Sequence, residues 1–137
     1  MDTDRLLHSL GVARKMVEIA KEKNLTLEQQ QELFILGFNH DIGYEFPSDT
    51  EQHQTIGGNL LRNEGYKYWQ EVYYHGMPDV EYESLYLLIL NQADMQVDKY
   101  GTDVGYERRL NHIKYRYGDD STVYMNVKKL IDSIKDK

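Results

Sequence analysis

The chain has 137 residues, a formal net charge of −7, 40% hydrophobic residues and no cysteine. That length suits one domain with one core. The missing cysteines exclude disulfides and thiolate metal ligands, and an acidic chain with no basic stripe argues against a nucleic-acid polymer as partner. No apolar run reaches the roughly 18 residues of a membrane span. Met1–Leu10 carries Asp2, Asp4 and Arg5 and lacks a signal-peptide pattern. A cytoplasmic protein with no membrane contact is expected.

Hydrophobic spacing predicts helices throughout. Leu6, Leu10, Ala13, Val17 and Ala20 recur at helical intervals and place a first helix over 3–23, ended by Asn24. Thr26 with Gln29 forms a capping box for a second helix over about 27–41. A loop is expected from Gly43 to Asp49, around Pro47. A third helix follows over 51–64 and ends at Gly65. A short fourth runs near 66–75, before Gly76, Met77 and Pro78. The fifth, about 81–98, holds the apolar run Leu85–Leu90. After a loop with two glycines, helices over 106–117 and 121–135 close the chain, separated by Gly118, Asp119 and Asp120. No strand period survives, so an all-α single domain, a bundle of six or seven helices, is predicted.

Polar groups stand where this pattern calls for apolar ones. On a 100° wheel His8 shares a side with Val12, Met16 and Ile19. Leu33–Phe38 is apolar in nearly every direction, which predicts a central second helix, yet that helix ends in His40 and Asp41. His53 leads the face Ile56, Gly57, Leu60, and Asp94 stacks above Leu87 and Leu90. At least two carboxylates and three imidazoles therefore point at one interior. A buried carboxylate is costly unless paired or bound to a metal, and few Lys or Arg lie on these faces. Nitrogen and carboxylate ligands without sulfur suit Fe, Mn, Co, Ni or Zn. Taken singly, His8 could be a hydrogen-bonded core histidine, His53 a helix-start residue and His75 a cationic helix C-cap. His112, among Arg108, Arg109 and Arg116, reads as solvated surface. The twelve tyrosines leave open whether Tyr66, Tyr68, Tyr73 and Tyr74 form a lid, a base-stacking wall, packing or a dimer face.

The order His8, His40–Asp41, Asp94 resembles the HD-domain superfamily of metal-dependent phosphohydrolases. Five segments carry the resemblance: RLLHSLGVARKMVEIA (5–20), LGFNHDIGY (36–44), HQTIGGNLLRNEGY (53–66), VYYHG (72–76) and NQADMQVDKYG (91–101). They span about residues 3–101, and the tail from Tyr106 matches no motif. The resemblance implies that His8, His40, Asp41 and Asp94 hold one divalent metal, and that Asp41 bridges to a second held by His53 and His75. It implies attack of metal-activated water on a small phosphate ester or anhydride, with a nucleotide as the expected substrate; a diiron oxygenase or a non-catalytic metal-stabilised binding domain on the same ligand set are the alternatives. Arg5, one turn before His8, and Tyr44 are the candidates to meet substrate phosphate, with Arg62 and Lys67 behind them. Many relatives carry Lys soon after the HD pair, where this chain has Ile42, Gly43, Tyr44 and Glu45. The GYP signature of the cyclic-dinucleotide branch is also absent.

Overall fold

The computed structural model describes residues 3–45 and 52–137. The expected loop around Pro47 and the expected helix start at 51 lie outside the described residues. Among the described residues there are seven α-helices and no strand: α1 (Thr3–Glu22), α2 (Leu27–Asn39), α3 (His53–Asn63), α4 (Trp69–Tyr74), α5 (Leu85–Asp94), α6 (Gly105–Tyr117) and α7 (Thr122–Ile134). A 3₁₀ turn, Ile42–Glu45, follows α2. The fold is all-α, as predicted, and no described helix is long and apolar enough to cross a membrane.

Helix ends follow local chemistry. The Thr26 side chain accepts from Gln29 N–H while the Gln29 side chain accepts from Thr26 N–H, the predicted capping box. Ser84 caps α5 by accepting from Leu87 N–H, which starts that helix at Leu85, later than expected. Its other end also falls short of the expected Asp98. The Asp98 side chain accepts from Tyr100 and Thr102 N–H, Gly101 takes φ +83°, and Val97 bridges to Asp103. These bonds divert the backbone into a tight turn.

Helix α1 packs on α2 and α5, α3 packs on α4, and α7, paired with α6, packs on α5. Small residues permit close approach. A Cβ on Gly37 would lie 2.8 Å from Ala13 Cα, and one on Gly11 would lie 2.6 Å from Gly101 Cα. The main core joins Val12, Met16, Leu33, Leu36, Val72, Ile89 and Leu90. Burial of such side chains contributes about 1.5–3 kcal/mol each.

The sequence pattern misplaced one helix. On α1 the side through His8, Val12, Met16 and Ile19 is buried as expected, with Ala13 and Ala20 of the adjoining stripe, while Leu6 is exposed and Leu10 and Val17 are only partly buried. Helix α2 is not central. Leu33, Leu36 and Gly37 are buried, but Ile35 is 51% exposed and Phe34 also faces outward. The central helix is α5, in which Leu87 and every residue from Ile89 to Asp94 are buried.

Candidate metal centre

Three helices and the C-terminal ends of two others deliver the polar cluster. His8 projects from the second turn of α1, and Asp94 is the last residue of α5. Helix α2 stops at Asn39, two residues earlier than predicted, so His40 is its C-cap and Asp41 stands ahead of the 3₁₀ turn. His53 is the first residue of α3, and His75 is the C-cap of α4. All but His53 are buried.

The geometry is ordered around Asp41. Its Oδ2 lies 3.6 Å from His8 Nε2 and 3.3 Å from His40 Nε2. Its Oδ1 lies 3.2 Å from His53 Nε2 and 3.5 Å from His75 Nε2. Asp94 Oδ1 completes the first group, 2.9 Å from His8 Nε2 and 3.4 Å from His40 Nε2. Two ligands held about 2.0–2.2 Å from one metal, at angles between octahedral and tetrahedral, are separated by about 2.8–3.6 Å. All six spacings fall in that interval. The one carboxylate thus turns one oxygen to each of two imidazole groups.

Proton placement tests whether a cation fits. His8 Nδ1 lies 2.9 Å from the Asp98 carbonyl, His40 Nδ1 2.6 Å from the Gly37 carbonyl, and His75 Nδ1 2.6 Å from the Val72 carbonyl. A carbonyl only accepts, so each Nδ1 carries a hydrogen and donates it. In the neutral ring, Nε2 then presents a lone pair toward carboxylate lone pairs. Something positive must lie between them, either a second proton or a metal. His40 Nε2 is buried with no hydrogen-bond partner, the mark of a group awaiting a ligand. Ring nitrogens oriented by carbonyls on their far side are the usual support of metal-binding histidines. The donor set fits a divalent transition metal.

Electrostatics agree. Burial acts to lower the His40 pKa, but the Asp41 and Asp94 carboxylates outweigh it and raise it to about 9. Burial acts to raise both aspartates; His40 charge and hydrogen bonds from the surrounding imidazoles overcome it and hold them well below the usual carboxylate range. His53 is pushed down by burial. The cluster is a bed of carboxylate charge that draws a cation to its centre.

The model of the HD domain family matches residues 5–135. The chain belongs to the HD domain family. The match extends past Gly101, where the motif text stops, through both closing helices of this HD domain. Comparison with curated proteins found no match, and neither did comparison with solved structures.

The six residues expected at the metals all meet in this one cluster. Of the others, Tyr44 stacks on His53, ring centroids 4.0 Å apart and planes within 12°, and the Arg5 guanidinium carbon lies 3.2 Å from the centre of the Tyr44 ring. Burial and the Asp41 charge raise the Tyr44 pKa, against the opposing pull of Arg5. Arg62 sits near the opposite end of α3 from His53, over Trp69, and Lys67 lies over Tyr68; neither is brought to the cluster. His112 is exposed, as expected. The tyrosine rings touch in two runs, Tyr66–Tyr68–Tyr86 and Tyr73–Tyr74–Tyr82. Tyr68 and Tyr86 donate to Glu32 and Tyr82 donates to Glu71, all lining a separate cavity of about 550 Å³, and Tyr74 stacks on Tyr82.

The sequence reading missed the supports. Asn91, buried one turn before Asp94, accepts from Gly76 N–H and so fixes the His75 turn. A buried Asn at helical spacing from a ligand was the available signal. The carbonyls of Gly37, Val72 and Asp98 have none, since every residue carries one.

Proposed function

We propose that this HD domain is a metal-dependent hydrolase of a small phosphate ester or anhydride, with a nucleotide as the expected substrate. The observation that carries the reading is Asp41, whose two oxygens face two separate imidazole groups. In this reading His8, His40, Asp41 and Asp94 hold one cation, and Asp41, His53 and His75 hold a second. When bound, a divalent pair supplies Lewis acidity, lowering the pKa of water and offsetting charge that builds on a phosphoryl group.

The chain's own part is positioning. The carbonyls of Gly37, Val72 and Asp98 fix three rings before substrate arrives, so little reorganisation is needed during reaction. Arg5 and the partly exposed Tyr44 stand at the solvent edge of the cluster beside His53 and are the side chains proposed to meet an incoming phosphate. With a net charge of −7, the cations would supply most of the attraction for an anion. A polymer partner and a membrane partner are not part of this proposal, which places the enzyme in the cytoplasm.

The test is product release from nucleoside mono-, di- and triphosphates, dinucleoside polyphosphates and simple phosphomonoesters, with Mn, Fe, Co or Ni added to chelator-stripped protein. Turnover of at least one class, abolished in Asp41→Ala, is expected. Metal-loaded protein with no phosphate product from any class would overturn the reading, and oxygen consumption by the iron form would replace it with an oxygenase.

A further inference from the structure

Three of the four imidazoles in the cluster are oriented by backbone carbonyls at Nδ1. His53 is different. Among the described residues nothing hydrogen-bonds its Nδ1, and its side chain is 26% exposed, against 11% or less for the other three. A ring on the first residue of a helix, about a quarter exposed, has rotamer freedom to lose on binding a metal. Something must hold it if the second group is to be preformed.

What touches it is a stack. The Tyr44 ring lies within 12° of parallel to His53, centroids 4.0 Å apart, and the Arg5 guanidinium carbon lies over the Tyr44 ring, 3.2 Å from its centroid. The local backbone enforces this contact. Tyr44 N–H donates to the Asp41 carbonyl in the 3₁₀ turn, three residues on from the shared carboxylate. Gly43 lets that turn lie directly on the first turn of α3, since a Cβ there would overlap the His53 carbonyl group. One short segment, Asp41–Tyr44, therefore carries both the carboxylate of the second group and the ring that clamps its most mobile imidazole. Arg5 ties the clamp to α1, one turn ahead of His8.

We propose that the Arg5–Tyr44 stack is the positioning device for the second metal: it holds the His53 imidazole toward Asp41 in place of the carbonyl that orients the other three rings. It rests on the two-metal reading above. Tyr44 and Arg5 act through His53, so they are positioning residues for that cation. The first group, built from His8, His40 and Asp94 with Asp41 Oδ2, has its own carbonyl supports and does not depend on the stack. The same arrangement makes the second cation the separable one, with an affinity set by how firmly Tyr44 is held.

The test is calorimetric titration of chelator-stripped protein with cobalt(II) alone, with visible cobalt absorption followed on the same samples. Wild type, Tyr44→Ala, Tyr44→Phe and Arg5→Ala are compared, and far-UV circular dichroism checks that each is folded. Wild type is expected to bind two ions in separable steps. Loss of an outer support lowers metal affinity about ten- to a hundredfold, so Tyr44→Ala and Arg5→Ala should weaken the second step by that factor and leave the first unchanged. Tyr44→Phe keeps the ring and should restore the second step. Unchanged second-step affinity in Tyr44→Ala and Arg5→Ala would overturn the proposal, as would equal loss of both steps or failure of Tyr44→Phe to rescue. A single step in the wild type would bring down the two-metal reading itself, and this inference with it. Turnover plays no part in the readout, so the two failures are told apart.

Discussion

Gly43→Ala isolates the contact on which the second half of the centre is built. A Cβ at Gly43 would stand 2.6 Å from the His53 carbonyl carbon, whereas ordinary contact begins at 3.4 Å, and it would also crowd Gly57 N at 2.9 Å. All of these neighbours are backbone, so no rotamer change relieves the overlap. The 3₁₀ turn and the start of α3 must separate by about 0.8 Å or more. Metal–ligand distances tolerate only about 0.2 Å, so Asp41 Oδ1 and the His53 and His75 nitrogens can no longer share an ion. Overpacking of this kind costs about 1–3 kcal/mol, which for a domain of this size is roughly 3–9 °C in melting temperature. Thermal melts in chelator read the packing cost, and cobalt titration reads the site. The variant should melt lower without metal and lose the second ion. A Gly43→Ala protein with wild-type melting and two ions would refute the claim that the turn and α3 are in direct backbone contact.

Other consequences follow from the packing and the charges. Chelation should destabilise the wild type: a ligand at a hundred times its dissociation constant stabilises by about 2.7 kcal/mol per site, so manganese or cobalt should raise the melting temperature and the chelator reverse it, while an unchanged melt would argue against a metal centre. Leu90→Ala, at a fully buried position of α5, should cost about 2–5 kcal/mol, whereas Ile35→Ala, on the outward face of α2 at 51% exposure, should stay within about 0.5 kcal/mol; equal costs in urea unfolding would contradict the assignment of α5 as the central helix. Hydrogen bonds from Tyr68 and Tyr86 hold the Glu32 carboxyl below its ordinary 4.5. Its contribution is therefore present above that value and lost as pH falls through the lower folded one, so the stability gap between wild type and Glu32→Gln in chelator should narrow from pH 6 to pH 3.5, and a gap that widens would contradict the assigned hydrogen bonds.

The site was more legible than the fold around it. His8, His40, Asp41 and Asp94 could be picked out because polar side chains interrupting apolar helical faces are expensive, and the interruptions had to share a cause. The helices were legible from period and caps, the Thr26–Gln29 box most directly. Centrality was not. Leu33–Phe38 and Leu85–Leu90 are both broadly apolar, yet α5 is covered by α1 and α7, while the outer side of α2, with Phe34 and Ile35, faces solvent. Burial on a second side depends on which later segment folds back, and periodicity within one helix does not encode that. The stack of Tyr44 on His53 escaped for a related reason: it joins residues of two separate elements and depends on the backbone contact at Gly43. The end of α5 escaped because the Asp98–Gly101 turn competes with helix only once its side-chain bonds form.

The central claim is that Asp41 is shared between two cations, and counting metal in three proteins tests it most directly. Wild type, His53→Ala and Asp41→Ala are loaded with the same metal, desalted and measured by elemental analysis against protein concentration. About two ions per chain in the wild type, one in His53→Ala and none in Asp41→Ala are the predicted counts. Full metal content in Asp41→Ala, or one ion in both the wild type and His53→Ala, would contradict it.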